Sequence, residues 1–264
     1  MIDKSRLRAL IDRAQLGEAA VYVRDLGKPS DLVSIDTGQT IYPASMIKTP
    51  LAVAVAVAEA AGRLSSSDRV AVTEANMTVN DAPSPLVPGT TATVAELVRL
   101  MLSRSDNVAT NILIDLAGRA RATADLAALG FARTAIRRKL SGSLPLIDDP
   151  HATGRNTHPA DEACALFTRI DGRTVPGADA IARALADQYW NAKLSAGLQH
   201  GDRFAHKTGD TDEVSHDGGI LELASGGRYA IVVYTQLASH DGTDARFAAF
   251  MRELRPLLEA GGVR

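Results

Sequence analysis

Residues 42–61 read Tyr-Pro-Ala-Ser-Met-Ile-Lys-Thr-Pro-Leu-Ala-Val-Ala-Val-Ala-Val-Ala-Glu-Ala-Ala, and the fold turns on whether they form a helix or a strand. The Ala-Val alternation has the period of a strand. Three features outweigh it. With its flanks the apolar run is about sixteen residues, long for a strand. Alanine is the best helix former and dilutes valine's modest penalty. Gly62 stands where a C-terminal glycine closes a helix. Read as a helix beginning near Ser45, the stretch puts Ser45 and Lys48 on one face of its first turn. The positive end of the helix dipole favours an oxyanion at the serine. An amine one turn on could take the hydroxyl proton, if it is held neutral. Leu51–Ala58 has no polar face, so this helix is expected to run through a core.

Outward from it, residues 3–16 carry Leu7, Leu10, Ile11, Ala14 and Leu16, roughly one apolar helix face. Ala19–Leu26 and Leu32–Ile35 read as strands joined by the turn Gly27-Lys28-Pro29-Ser30. From Gly62 to about Trp190 the pattern is mostly helical, with helices at Thr93–Ser103, Val108–Ala117, Ala122–Leu129 and Ala160–Thr168. Residues 137–159 lack periodicity and form a long loop, a kind of segment that is often functional. Strands return at Phe204–Gly209 and in a hairpin, Gly219–Leu223 with Arg228–Leu237. Thr243–Glu259 is a final amphipathic helix. The expected fold is α+β. A five-stranded antiparallel sheet from both termini is flanked by the terminal helices, and an all-helical region is inserted between its second and third strands. Residues 1–40 with 197–264 would form the sheet part and 41–196 the helical part of one unit, with a site at the seam.

The 264 residues are 45 % hydrophobic and 23 % charged, ordinary for a globular protein. A net charge of −2 with scattered Lys and Arg gives no nucleic-acid footprint. Arg137-Arg138-Lys139, the only tight basic run, reads as a solvated or locally paired loop. The histidines show no metal-ligand spacing, so neither metal nor cofactor is expected. Cys164 reads as a buried thiol. The first residues lack a long apolar segment, so no signal peptide or membrane anchor is read there. The expected location is cytoplasmic as written, or periplasmic or secreted if a leader was removed. A monomer acting on a small-molecule substrate is expected.

Ser-x-x-Lys alone is a weak motif. Ser105-Asp106-Asn107 follows at the end of the 93–103 helix, and Lys207-Thr208-Gly209 lies on a strand before the hairpin. Each has a plain reading: Ser45 as a helix cap, Ser105 and Asp106 as a helix end, Lys207 as a surface lysine. In this order, however, the trio resembles class A β-lactamases and penicillin-binding proteins. The resemblance extends over nearly the whole chain, through Pro43-Ala44-Ser45-Met46-Ile47-Lys48 and Met101 to Asn111. His216-Asp217-Gly218-Gly219-Ile220 and Gly154-Arg155-Asn156-Thr157-His158-Pro159 are similar to a side branch, the class A-related serine hydrolases.

The resemblance implies a β-lactamase/transpeptidase-like fold and a set of roles. Ser45 would be the nucleophile on a lactam, amide or ester carbonyl. Lys48 would be its base. An ordinary lysine titrates near about 10.4, so a shift of about three units, about 4 kcal/mol, must come from burial and from Lys207. Ser105 would relay a proton to the leaving group, and Asn107 would hold the substrate's amide. Lys207 and Thr208 would receive a substrate carboxylate. The backbone N–H groups of Ser45 and Asp210 would form the oxyanion hole. Gly209 would let a ligand approach the strand edge. His216 and Asp217 invite a Ser/His/Asp triad, but Lys48 already supplies a base, so a strand-end or turn pair is expected. Tyr189 and Trp190 are expected in the core.

One element departs from the family. Class A β-lactamases carry a loop glutamate that activates the deacylating water. Residues 136–146 here contain no acid, and no glutamate occurs between Glu96 and Glu162. Asp148 and Asp149 come several residues later on shorter side chains. The expectation is therefore a serine hydrolase that acylates Ser45 and turns β-lactams over slowly. Two alternatives stay open: an esterase for small acyl groups, and a non-turnover penicillin-binding or sensing module. A D,D-peptidase would need periplasmic access.

Overall fold

Strand β1 (Ala20–Asp25) is apolar on both faces, and that decides the architecture. Ala20 and Tyr22 enter one apolar core while Val21 and Val23 enter another, as the period of two requires. A strand buried on both sides needs helices over both. The computed structural model, which describes residues 2–28, 31–38, 40–142, 147 and 152–261, has that arrangement. The sheet runs β2 (Leu32–Ile35), β1, β7 (Arg228–Thr235), β6 (Ser215–Glu222), β5 (Arg203–Asp210), and every neighbouring pair is antiparallel. Helices α1 (Lys4–Arg13) and α8 (Asp241–Gly261) cover one face, burying Leu7, Leu10, Ile11, Phe247, Phe250 and Leu254. The helical part covers the other.

The deciding stretch is helical. Helix α2 (Lys48–Ala60) is buried from Lys48 to Ala56 and again at Ala58. Gly62, at φ +69°, closes it, with Arg63 N–H donating to Ala58 O at 2.9 Å. The α-helix begins later than Ser45, however. Ala44–Ile47 form a 3₁₀ turn that runs into it.

Between β2 and β5 lie α3 (Val94–Ser103), α4 (Asn107–Ala117), α5 (Arg119–Ala128), α6 (Ala160–Asp171) and α7 (Ala178–Ala186). This part is not all-helical, which corrects the expectation. Arg69–Ala71 and Thr91–Thr93, strands β3 and β4, pair as a small antiparallel ribbon. Three-residue strands on the surface leave too little alternation to be read. Strand β6 also starts earlier than expected, so His216 and Asp217 lie within it and not in a turn. Gly218 and Gly219 hid this, because glycine is depleted in strands. Here glycine is needed: a Cβ on Gly219 would meet Ala205 O at 2.2 Å and His206 Cα at 2.5 Å.

Two more expectations change. Tyr189 is 55 % exposed rather than core, with the Arg104 guanidinium 5.0 Å from its ring centre. Trp190 is half-buried, its indole N–H donating to Arg104 O at 3.1 Å. Cys164 is buried. Among the described residues no His, Cys, Asp or Glu group could hold a metal, and no helix is long and apolar enough to cross a membrane.

The loop that begins at Arg137 is closed at its neck. Ala135 bridges Thr157. Asn156 Oδ1 accepts from Arg137 N and Arg138 N at 2.7 and 2.9 Å, and its Nδ2 donates to Arg138 O at 3.0 Å.

Candidate active site

The site begins with the 3₁₀ turn. At three residues per turn, side chains at i and i+3 eclipse, so Ser45 and Lys48 share a side. Ala44 enters the turn at φ +46°, a left-handed conformation rare for a residue with a Cβ. Ser45 is half-buried. Lys48 is fully buried.

The second wall is the turn between α3 and α4. Ser105 sits at φ +59°, again left-handed. Such strain persists only where surroundings enforce it, and it gathers at functional sites. Asp106 caps α4, its Oδ1 accepting from Ala109 N at 2.8 Å. Its part in the motif is to start a helix whose first residue is Asn107. The two flanking residues then meet Lys48. Its Nζ lies 2.6 Å from Ser105 O, 3.0 Å from Ser105 Oγ and 2.7 Å from Asn107 Oδ1. Asn107 is itself held by Asn80 Oδ1, 2.5 Å from its N, and by Val79 O, 2.8 Å from its Nδ2.

Strand β5 is the third wall. Gly209 packs against the serine turn so closely that a Cβ there would sit 2.9 Å from Pro43 O and 3.2 Å from Met46 N. Lys207 is fully buried, its Nζ donating to Thr208 O at 2.8 Å. Asp210 pairs through its carboxylate with the buried Lys193, and Ser215 Oγ donates to the same oxygen at 3.1 Å. The expected residues Ser45, Lys48, Ser105, Asn107, Lys207, Thr208, Gly209 and Asp210 therefore gather around one seam.

Electrostatics follow from burial. Desolvation holds the Lys48 amine well below its ordinary value, and the Lys207 charge adds to this. Desolvation also lowers Lys207, to about 7, partly offset by the Asp210 carboxylate. A neutral Lys48 amine can donate to Ser105 O and Asn107 Oδ1 and still offer its lone pair to a hydroxyl proton.

His216 has another task. Its Nδ1 accepts from Thr235 N at 3.2 Å, so its Nε2–H donates to Tyr42 O at 2.7 Å. Burial holds it neutral, at about 4. It anchors the chain just before the serine turn. Its neighbour Asp217 is bonded to His206 instead, at 2.7 Å.

Sequence reasoning assigned no role to Asn80, Asn111, Lys193 or His206. Asn111 clamps the loop residue Leu140 at both backbone groups, Nδ2 to Leu140 O at 2.9 Å and Leu140 N to Oδ1 at 2.7 Å. Its place one turn beyond Asn107 was the available signal. The adjacent Lys139 pairs with Asp115 at 2.7 Å and Asn76 at 2.9 Å. Asp148 and Asp149 lie outside the described residues.

A family model described as the beta-lactamase enzyme family matches residues 4–254. No curated protein sequence gives a significant match. Several solved structures share the fold. A β-lactamase from Sphaerobacter thermophilus is 25 % identical, covering 98 % of this chain and 98 % of its own, at TM-score 0.80. A leucine-to-glutamate mutant of PBP-A, as its acyl-enzyme complex with penicillin G, is 24 % identical over 97 % and 96 %, at TM-score 0.82. A β-lactamase from Xanthomonas campestris is 21 % identical over 98 % and 100 %, at TM-score 0.82.

Proposed function

This chain belongs to the beta-lactamase enzyme family as a class A β-lactamase-like serine hydrolase, and on that premise we propose that it acylates Ser45 with a β-lactam or a related amide or ester and releases β-lactam products slowly. The observation that carries the reading is the fully buried Lys48 amine, held by Ser105 and Asn107 beside the serine turn. It takes the Ser45 proton as Ser45 Oγ attacks the carbonyl. The N–H groups of Ser45 and Asp210 hold the oxyanion. Ser105 Oγ, 3.0 Å from Lys48 Nζ, passes the proton to the leaving group. Lys207 and Thr208 receive the substrate's anionic group, and Asn107 takes its amide.

Slow release rests on the loop. Asn111 fixes position 140 one helical turn from Asn107, and that position holds a leucine. No described residue of the loop supplies a carboxylate. The same feature favours a second reading, a penicillin-binding module that acylates and stops. A leucine-to-glutamate mutant of PBP-A, which shares this fold, is known as its acyl-enzyme complex with penicillin G, which is compatible with such a module. Intact-protein mass spectrometry with penicillin G separates the two. An adduct that forms and decays over hours marks the hydrolase; one that persists marks the module. Ser45→Ala is expected to give neither, and an adduct on that variant would end the proposal. Hydrolysis of p-nitrophenyl acetate, whose small acyl group leaves room for water, is expected to be faster than that of nitrocefin.

The pH profile follows from the two lysines. Acylation rises with pH as Lys48 loses its proton, which happens well below the ordinary lysine value. Lys207 must keep its proton to receive an anion, so acylation by penicillin G falls as pH climbs through about 7. An uncharged ester has no use for that charge, and its profile is expected to lack the falling limb. Matching limbs for the two substrates would remove Lys207 from anion recognition.

A further inference from the structure

Behind Lys207 runs a polar chain that the reaction does not use. Gln188 Nε2 donates to Leu102 O on α3 at 3.2 Å and to His206 O on β5 at 2.8 Å. The backbone carbonyl of Gln188 accepts from Asn191 Nδ2 at 2.6 Å. That bond orients the Asn191 amide. Its nitrogen faces a carbonyl, so its Oδ1 faces His206 Nε2, 3.1 Å away. An amide oxygen only accepts, so His206 Nε2 carries a proton. On the other side of the ring, His206 Nδ1 lies 2.7 Å from Asp217 Oδ1. A lone pair facing a carboxylate oxygen at that distance would be repulsive, so a second proton lies between them. Asp217 Oδ2 accepts from Leu194 N at 3.0 Å.

The hydrogen-bond geometry thus puts a proton on each ring nitrogen of His206, one of them facing the Asp217 carboxylate, and both side chains have 0 % exposure. Together they bury no net charge. Removing either would leave the other uncompensated in the core. The His206 ring also stacks on Phe204, with centres 4.5 Å apart.

The position of this pair gives it a use. Strand register sets Asp217 opposite Thr208, and His206 is the residue before Lys207. Among the described residues the Lys207 ammonium has one hydrogen-bond partner, the carbonyl of its own neighbour Thr208. Its place therefore depends on the backbone at 206–208. That backbone is fixed by β6, by the His206–Asp217 bond across the two strands, and by Gln188, which ties it to the end of α3 just before Ser105.

We propose that the buried His206–Asp217 pair, braced by Asn191 and Gln188, is a positioning unit that holds Lys207 and Thr208 where an anionic substrate group is received. The kinetic part of its test rests on the acyl-Ser45 reading; the spectroscopic part does not. The kinetic test compares penicillin G, which carries a carboxylate, with p-nitrophenyl acetate, which carries no charge. His206→Gln is expected to slow acylation by penicillin G at least about 10-fold while changing ester hydrolysis less than about 3-fold. Asn191→Asp, which keeps an acceptor opposite Nε2 but loses the donor to Gln188 O, is expected to slow acylation by penicillin G less than His206→Gln does and to leave ester hydrolysis within about 3-fold. Equal losses on the two substrates, or none, would overturn the proposal. Independently, nitrogen-15 NMR of the wild-type protein at neutral pH is expected to show both His206 ring nitrogens protonated, with signals absent from His206→Gln. A singly protonated ring would also overturn it. If the wild type forms no penicillin adduct, the acyl-Ser45 reading fails, and the ring protonation still decides the state of the pair.

Discussion

Lys48→Met is expected to slow acylation of Ser45 by about 10³-fold or more, the upper range for loss of a placed general base. Methionine matches the buried stem of lysine, so packing around α2 changes little. What disappears is the amine between the serine turn and Ser105. Two effects on stability oppose each other. Ser105 O and Asn107 Oδ1 lose a donor, at about 1–3 kcal/mol for each group left unsatisfied. Against this, the protein no longer has to bury an amine. A folded but unreactive variant is the expected result, read by circular dichroism and by the rate of mass gain with penicillin G. Undiminished acylation would mean that another group takes the Ser45 proton and that the lowered Lys48 has a different purpose.

The second large effect is a gain. Leu140→Glu is expected to shorten the life of the penicillin adduct about 10²-fold, the contribution typical of a positioned base acting on water. The clamp is the reason for choosing this residue. Asn111 holds both backbone groups of position 140, so a side chain there is presented from a fixed point close to the Asn107 end of α4. Fixed placement matters more than the presence of an acid, because a base must lie within reach of the proton it removes. Decay of the adduct followed by mass spectrometry measures the effect. Adding Asn111→Ala is expected to abolish the gain by releasing the loop. An adduct that decays no faster with glutamate at 140 would show that the missing acid is not what limits release.

Much of this site was legible because its parts are local. Ser45 and Lys48 are three residues apart, and Ser105-Asp106-Asn107 is a helix cap with one residue on either side. Spacing within a turn is visible in sequence. The supports were not, because they are long-range. Asn111 finds Leu140 in a loop with no periodicity to place it. Lys193 belongs to no motif, and its part is visible only through its Asp210 partner on β5. His216 and Asp217 are adjacent in sequence, but adjacency does not give them a common partner. In a strand neighbouring side chains point to opposite faces, so His216 reaches Tyr42 while Asp217 reaches His206 across the ladder. The sheet was legible where valine, isoleucine and tyrosine are dense, as in β1 and β7. It was missed in part where Gly218 and Gly219 let two strands approach closely.

The neck of the 137–159 loop has a consequence for how such proteins diversify. Asn156 and the Ala135–Thr157 bridge join the two ends of the loop, and Asn111 grips it again at Leu140. The residues at these anchor points are held whatever length of chain joins them. That length can change at small entropic cost, since closure entropy grows only slowly with length. Segments from relatives could be grafted there without redesigning the scaffold, and the reactivity of the parent could be retuned by exchanging a dozen or so residues at a time.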